Sequence, residues 1–379
     1  MSIDKSNIPW ETVTSYGKCY SFHEKTMKRI TVERSMKKNA NIRDVARLAN
    51  VSGATVSRIL NDKPDVSEET RQKVLDVIGE LGYARSMQWK QITSGKTKVI
   101  TLHYPYKLAI SNQVSLHFIT GVTRACEEHG YSLHLVTQSL DENSLLDFYR
   151  TNQSDGLILM EIRMDDWRVE LLRQQKLPFV MIGRCEKNDG VNFVDFDFES
   201  AMTVAVHHLV DLGHHNVAFV SVITDPKRNH YGPSVRALHG YEKACARYKI
   251  PKLYFETENG FENVKLATLN IMRKHPEVTA IVTIFDTAMA GISSAINSLG
   301  LKIPDDVSFV GLGDAQGTEL TSPSFTVLDF PASSMGYEAA NIMINELEKG
   351  TRAVKQILVE PKLVIRSSSG LVRNTVLPG

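Results

Sequence analysis

From residue 99 onward, short and largely apolar runs alternate with longer stretches of helical periodicity, and this alternation leaves few folds open. VITLHY (99–104), YSLHLV (131–136), DGLILME (155–161), PFVMIG (178–183), VAFVSV (217–222), TAIVTIF (279–285) and DVSFVGL (306–312) are each too short for an ordinary helix. They carry apolar residues on both faces, as strands buried on both sides do. A helical stretch near 113–129 stops at Gly130, and further helical segments flank the other runs. Strand and helix in alternation predict doubly wound parallel sheets, whose ligands sit outside the carboxyl ends of the strands. The 379 residues leave room for two such sheets and a smaller domain.

The smaller domain precedes them. In NIRDVARLANVSGATVSRILND, Ile42, Val45, Ala46 and Ala49 recur at helical spacing behind Asn41, a suitable N-cap. Ser52 is placed to cap a second helix that turns Val56, Ile59 and Leu60 inward, and Asn61-Asp62-Lys63-Pro64 ends it. A third helix starts at Ser67, has Glu68 and Glu69 at its positive end, buries Val74, Ile78 and Leu81, and stops at Gly82. Two short helices joined by a tight turn, with a third as buttress, match a helix-turn-helix. There the second helix lies in the major groove with its N-terminal residues, here Gly53, Ala54 and Thr55, facing base edges. Arg58, one turn on, has the fork that reads guanine O6 and N7, and Thr55, Ser57, Asn61, Ser67 and Thr70 are short donors suited to phosphates. The plainer alternative is a three-helix cap with solvated polar residues.

Charge supports the first reading. Residues 37–98 hold twelve Lys/Arg against seven Asp/Glu, whereas residues 99–379 hold twenty-six against thirty-two. A basic head on a mildly acidic body suits a polyanion reader attached to something else.

The pattern Asp44-Val45-Ala46, Val51-Ser52, Thr55-Val56-Ser57-Arg58, Asn61, Val66-Ser67, Thr70-Arg71 and Gly82-Tyr83 resembles, without a gap, the DNA-binding head of the LacI/GalR family of bacterial transcription regulators. The resemblance implies that residues 53, 54 and 58 read bases while short polar residues hold the backbone. Ser52 and Tyr83 fall in the same set of DNA contacts. It also implies that residues 84–98, ARSMQWKQITSGKTK, form a hinge that becomes a short helix on operator DNA. Ile92 stands at the position of the apolar minor-groove wedge. Arg85 departs from the usual proline and Trp89 from the usual small residue. Trp89 is either a larger wedge or a residue buried where hinge meets body.

HHLVDLGHHNVAFVS, LHGYEKAC, LGLKIPDDVSFVGLGD and SPSFTVLDF extend the resemblance to about residues 39–370. They imply a two-lobed body similar to a periplasmic sugar-binding protein, with three crossovers and a ligand in the cleft. The expected layout is an extension at 1–35, either an upstream-start artefact or a loosely held arm. A head at 36–84, a hinge at 85–98, an effector-binding and dimerisation domain at 99–370 and a tail at 371–379 follow. The first lobe is expected at about 99–196 and 329–352, the second at about 197–328 and 353–370. Candidate effector ligands are Arg184, Arg236, Asp286 and Asp314, charged side chains near strand ends that suit hydroxyl recognition. Asp286 and Asp314 are equally suited to capping helices. Ala237, Phe285 and Gly313 stand where the family commonly has arginine, asparagine and aspartate.

His207, His208, His214 and His215 invite a metal reading, but Gly213 is expected to break the helix they would need, and no metal is expected. No G-x-S-x-G, Walker or H-E-x-x-H motif occurs, so neither enzyme activity nor a cofactor is expected. Cys19, Cys126, Cys185 and Cys245 are too scattered for a disulfide framework or a zinc knuckle. No run approaches the roughly 18–20 apolar residues of a membrane span, and the first thirty residues carry no secretory signal, so a cytoplasmic protein is expected. The resulting expectation is a homodimeric repressor of double-stranded operator DNA, controlled by a small, sugar-like effector. A purine- or other metabolite-responsive regulator of the same fold and a solute-binding sensor remain the alternatives.

Overall fold

A computed structural model of the chain describes residues 41–60, 63, 65–81, 96–105, 112–223, 231–350 and 353–373. Asn61, Tyr83, Trp89, Ile92, the extension at 1–35 and most of the hinge lie outside the described residues. The chain divides into two compact units, 1–93 and 94–379.

The described residues of the first unit form three helices: α1 (Ile42–Ala49), α2 (Gly53–Leu60) and α3 (Glu68–Leu81). Asn41 Oδ1 accepts from Arg43 N and Asp44 N at 2.9 and 3.1 Å, and the Asp44 carboxylate returns to Asn41 N at 3.0 Å. This reciprocal capping box fixes where α1 starts. Asn50, left-handed at φ 55°, closes it, which sets up the tight turn into α2. Val45, Ala46, Ala49, Val56, Ile59 and Val74 meet in one small buried core. A core of that size leaves the helix caps to supply much of the definition.

The described residues of the second unit form two six-stranded sheets. The first runs in the order β11-β5-β4-β3-β1-β2, with β1 Val99–His103, β2 Ser132–Val136, β3 Gly156–Leu159, β4 Phe179–Ile182, β5 Asn192–Phe196 and β11 Gln356–Val359. All its pairings are parallel. The second runs β12-β10-β9-β8-β6-β7, with β6 Val217–Ile223, β7 Leu253–Glu258, β8 Ala280–Val282, β9 Ser308–Gly313, β10 Thr326–Asp329 and β12 Lys362–Val364. It is parallel except for the edge strand β12, which runs antiparallel to β10 with Val364 opposite Val327.

The helices between them are α4 (Asn112–Glu128), α5 (Glu142–Arg150), α6 (Trp167–Gln174), α7 (Phe198–Asp211), α8 (Gly232–Tyr248), α9 (Phe261–Lys274), α10 (Asp286–Ser298), α11 (Ala315–Glu319) and α12 (Ala332–Lys349). Helix α12 packs on α4 and against β3, β4 and β5. The approach is close because Gly121 and Gly336 face the opposite backbones. A Cβ on Gly121 would lie 1.9 Å from the Ser333 carbonyl oxygen, and one on Gly336 would lie 2.5 Å from that of Phe118.

The chain passes between the sheets three times: after β5, after β10, and between β11 and β12. The third passage corrects the expected lobe boundary, which gave 353–370 wholly to the second lobe. Residues 356–359 instead extend the first sheet, with Ile357 opposite Val194. Because α12 covers that sheet, the chain leaving it meets the open edge of β5 first, and only residues 362–364 rejoin the second sheet.

Candidate DNA interface and effector cleft

On α2, Val56 and Ile59 are buried while Ser52, Gly53, Ala54 and Arg58 are exposed, with Thr55 and Ser57 half-buried. The helix therefore turns its N-terminal residues and its arginine outward, as the sequence predicts. A Cβ built on Gly53 would meet nothing within 4 Å, so internal packing does not demand glycine there. Arg58 Nη1 sits 3.4 Å from an Asp65 carboxylate oxygen, both side chains more than half exposed. An exposed pair of this kind is worth about 0–1 kcal/mol, so Arg58 can exchange it for another acceptor.

The predicted phosphate donors have local work as well. Ser52 Oγ accepts from Thr55 N at 3.0 Å and shares a hydrogen with Thr55 Oγ1 at 2.8 Å. Ser67 and Thr70 repeat the arrangement at 3.4 and 2.8 Å. Each pair uses one hydroxyl hydrogen internally and keeps the other for an outside acceptor.

In the second unit, a cleft of about 820 Å³, counting its open mouth, lies where carboxyl ends of strands from both sheets meet. Its walls are mostly apolar and aromatic. Phe330 packs edge-on against Phe118 and Phe196 and tilted against Phe198, and Phe196 meets Phe198 edge-on, with centroids 5.1–5.9 Å apart. Met160, Met335, Ile284 and Phe285 complete the floor. The polar lining is Tyr104, Ser115, Tyr231 and three carboxylates: Glu161, Asp195 and Asp286.

Of the four predicted effector residues, Asp286 alone lines the cleft, at the start of α10, with its Oδ1 accepting from Thr287 N at 2.8 Å. Asp314 is corrected to a cap: its Oδ2 accepts from Gly317 N at 2.8 Å at the start of α11, and it is absent from the cleft lining. Arg184 and Arg236 also stand behind the wall. Arg184 Nε bonds buried Asp195 at 2.9 Å, and Arg236 Nη2 donates to the Cys185 carbonyl at 2.8 Å, joining α8 of the second lobe to the first. Burial pushes the Asp195 carboxyl up to about 6 against the pull of both arginines. The predicted arginines thus reach the cleft through an aspartate that sequence reading missed.

Glu161 was missed too, although it ends the run DGLILME. It has a left-handed φ of 56°, and Arg168 holds it there by donating from Nη2 to the Met160 and Glu161 carbonyls at 3.0 and 3.1 Å. Arg168 is itself bound to buried Asp166 at 2.9 and 2.7 Å and touches His103 Nδ1 at 3.2 Å. Burial and then the Arg168 charge press His103 down to about 4, so this network holds a neutral imidazole. Just beyond, Ile162 accepts from Gly232 N at 3.3 Å and Arg163 bridges to Tyr231, so the segment carrying Glu161 also binds the second lobe.

The histidine cluster is dispersed. His214 is buried between Thr279, Ser308 and the Gly370 carbonyl, His208 bonds Ser369, and His207 stacks on Tyr248. Among the described residues no group of three or more His, Cys, Asp or Glu is placed to hold a metal ion, and no helix is long and apolar enough to cross a membrane.

Residues 41–86 match the model for bacterial regulatory proteins of the lacI family, and residues 206–369 match that of a periplasmic binding protein-like domain. The HTH-type transcriptional repressor PurR of Histophilus somni is 30% identical over 345 residues, spanning 87% of this chain and 98% of that protein. The chain belongs to the LacI family. This regulator is also 27% identical to catabolite control protein A of Priestia megaterium, over 87% of its own length and 99% of that relative's. In fold it resembles the lac repressor dimer bound to operator and the anti-inducer ONPF (TM-score 0.77, 22% identity, 88% and 100% of the two chains). A CelR–cellobiose complex gives a TM-score of 0.64 at 24% identity over 87% and 99%. The protein is a DNA-binding transcriptional regulator with an effector-binding body, not an enzyme.

Proposed function

We propose that this regulator is a cytoplasmic repressor that binds a pseudo-palindromic operator as a homodimer, and that a small carbohydrate in the cleft shifts its operator affinity. The observation that carries the DNA half is the outward face of α2, where Gly53, Ala54 and Arg58 stand exposed over a buried Val56 and Ile59. Gly53 and Ala54 let the helix approach base edges closely, Arg58 reads a guanine, and the Ser52–Thr55 and Ser67–Thr70 pairs anchor on phosphates. The effector half is supported by aromatic walls that stack on sugar faces and by carboxylates that take hydroxyl donors. Ligand can shift DNA affinity only by favouring one lobe arrangement. Contacts such as Arg236 to the Cys185 carbonyl, which cross between lobes, are where that preference is set.

The test is operator binding against salt. Affinity for a palindromic site selected from random sequence should fall steeply with salt, and Arg58→Ala should cost about 1–3 kcal/mol on that site but much less on random duplex. Equal loss on both would assign Arg58 to phosphate. A thermal-shift screen of sugars, polyols, sugar phosphates and nucleobases tests the effector class, and a midpoint raised only by nucleobases would overturn the carbohydrate assignment.

A further inference from the structure

We propose that the cleft ligand is an amino sugar whose ammonium group seats on the Glu161 carboxylate. This rests on the carbohydrate reading above and names the group that sets specificity within it.

The geometry singles out Glu161. Its Oε2 is closed off from solvent and has no hydrogen-bond partner among the described residues, although the residue lines the cleft and its carboxylate already meets the Tyr231 hydroxyl. Buried polar groups are nearly always satisfied, and a buried carboxylate oxygen left without a donor is costly. Nearby cations are committed elsewhere: Arg168 to Asp166 and two carbonyls, Arg184 to Asp195, Arg236 to the Cys185 carbonyl. The left-handed backbone at Glu161 is a second, independent sign. Non-glycine residues persist in that conformation only where their surroundings over-determine it, which happens mostly at functional positions. Here Arg168 clamps the two carbonyls on either side of the turn.

The chemistry of the walls then chooses the donor. Glu161, Asp195 and Asp286 line the cleft, and no Lys, Arg or His does so among the described residues. Such a lining disfavours a phosphate or carboxylate on the ligand. A ligand hydroxyl would meet the hydrogen-bonding need of Oε2 but add nothing to the charge that Arg168 and Arg163 supply against burial. An ammonium does both, and charge-assisted bonds are about twice as strong as neutral ones. The rings of Phe118, Phe198, Phe330, Tyr104 and Tyr231 offer faces to sugar C–H groups and to the cation. The groups facing Glu161 are Arg168, Arg163 and the Tyr231 hydroxyl, with Tyr104 and Asp195 acting on Tyr231 in turn. Burial outweighs the two arginines and raises the Glu161 carboxyl to about 7, leaving the site short of positive charge, which a bound ammonium supplies.

The experiment is calorimetric titration of the full chain with glucosamine, galactosamine and mannosamine, their neutral parent hexoses, their N-acetyl derivatives and cyclohexylamine. One hexosamine should bind at least about tenfold tighter than its parent hexose, with the N-acetyl form matching the parent. Glu161→Gln should bring that preference within about twofold by weakening the hexosamine several-fold more than the parent hexose. Folding of the variant is checked by its melting transition. Equal affinity for hexose and hexosamine, or equal weakening of both by E161Q, overturns the ammonium assignment while the carbohydrate reading stands. Binding of cyclohexylamine alone, lost in E161Q, overturns the carbohydrate reading and keeps the cation site. Binding of nothing in the panel overturns both.

Discussion

Arg236 and Cys185 join the two lobes: the arginine Nη2, on α8 of the second lobe, donates to the Cys185 carbonyl, past β4 of the first, at 2.8 Å. The same guanidinium supplies one of the two positive charges that act on Asp195. Arg236→Leu should therefore do two things. It removes a charge-assisted bond, costing about 1.5–3 kcal/mol, and it leaves Asp195 with Arg184 alone. The sign in pH follows. The Asp195 carboxyl is already raised in the folded chain, so its ionisation works against folding as pH rises from its unfolded value toward about 6, and losing a cation extends that window upward. Urea unfolding should show a larger deficit at pH 8 than at pH 5; a deficit independent of pH would mean Asp195 does not feel Arg236.

Glu161→Gln should stabilise the ligand-free regulator. The folded carboxyl stands at about 7 against an ordinary 4.5, so the unfolded chain releases its proton first and stability falls through that interval. Below pH 4.5 the wild type and the variant should melt alike. Above pH 7 the variant should be more stable by about 1–3 kcal/mol. Thermal melts at pH 4.5, 6 and 8 decide this, and a constant difference across them would remove the carboxylate from the account.

The head was legible because its definition is local. Asn41, Ser52 and Ser67 cap helices within three residues of themselves, so their roles can be read off the chain. The inner strands were legible because burial on both faces leaves unbroken apolar runs such as FVMI and SFVG. Strand β5, NFVDF, was not, because two polar residues interrupt it: Asn192, satisfied by Glu346 and Lys355 N, and Asp195, satisfied by Arg184. Strands β11 and β12, four and three residues at sheet edges, carry no such run. The cleft was the least legible part. Glu161 and Asp195 are thirty-four positions apart and meet only through the sheet, while Asp314 has the same local setting as a ligand aspartate and serves as a cap.

Gly121→Ala tests how the cleft wall is held. The new methyl carbon would fall 1.9 Å from the Ser333 carbonyl oxygen, backbone on both sides, so α4 and α12 must separate. Overpacking of this kind costs about 1–3 kcal/mol, and since Ser115 and Phe118 on α4 and Met335 on α12 line the cleft, ligand affinity should fall with stability. A variant that melts lower yet binds ligand as before would show the cleft tolerant of helix spacing.

Gly53→Ala separates folding from DNA binding within one residue. The position opens α2, its φ is not in the left-handed region, and an added Cβ meets nothing within 4 Å. Alanine should therefore stabilise the head by about 0.4–1 kcal/mol by reducing the freedom of the unfolded chain. The same methyl group projects from the exposed start of the helix that the major-groove reading places against bases. Operator affinity should fall at least about tenfold, because one misplaced methyl holds the whole helix away from several base-edge contacts worth about 1–3 kcal/mol each. Arg58 would lose its guanine along with the rest, so the double variant Gly53→Ala/Arg58→Ala should bind the operator scarcely worse than Gly53→Ala alone. Losses that simply add would place Gly53 and Arg58 on separate contacts and exclude a common approach of α2 to the groove.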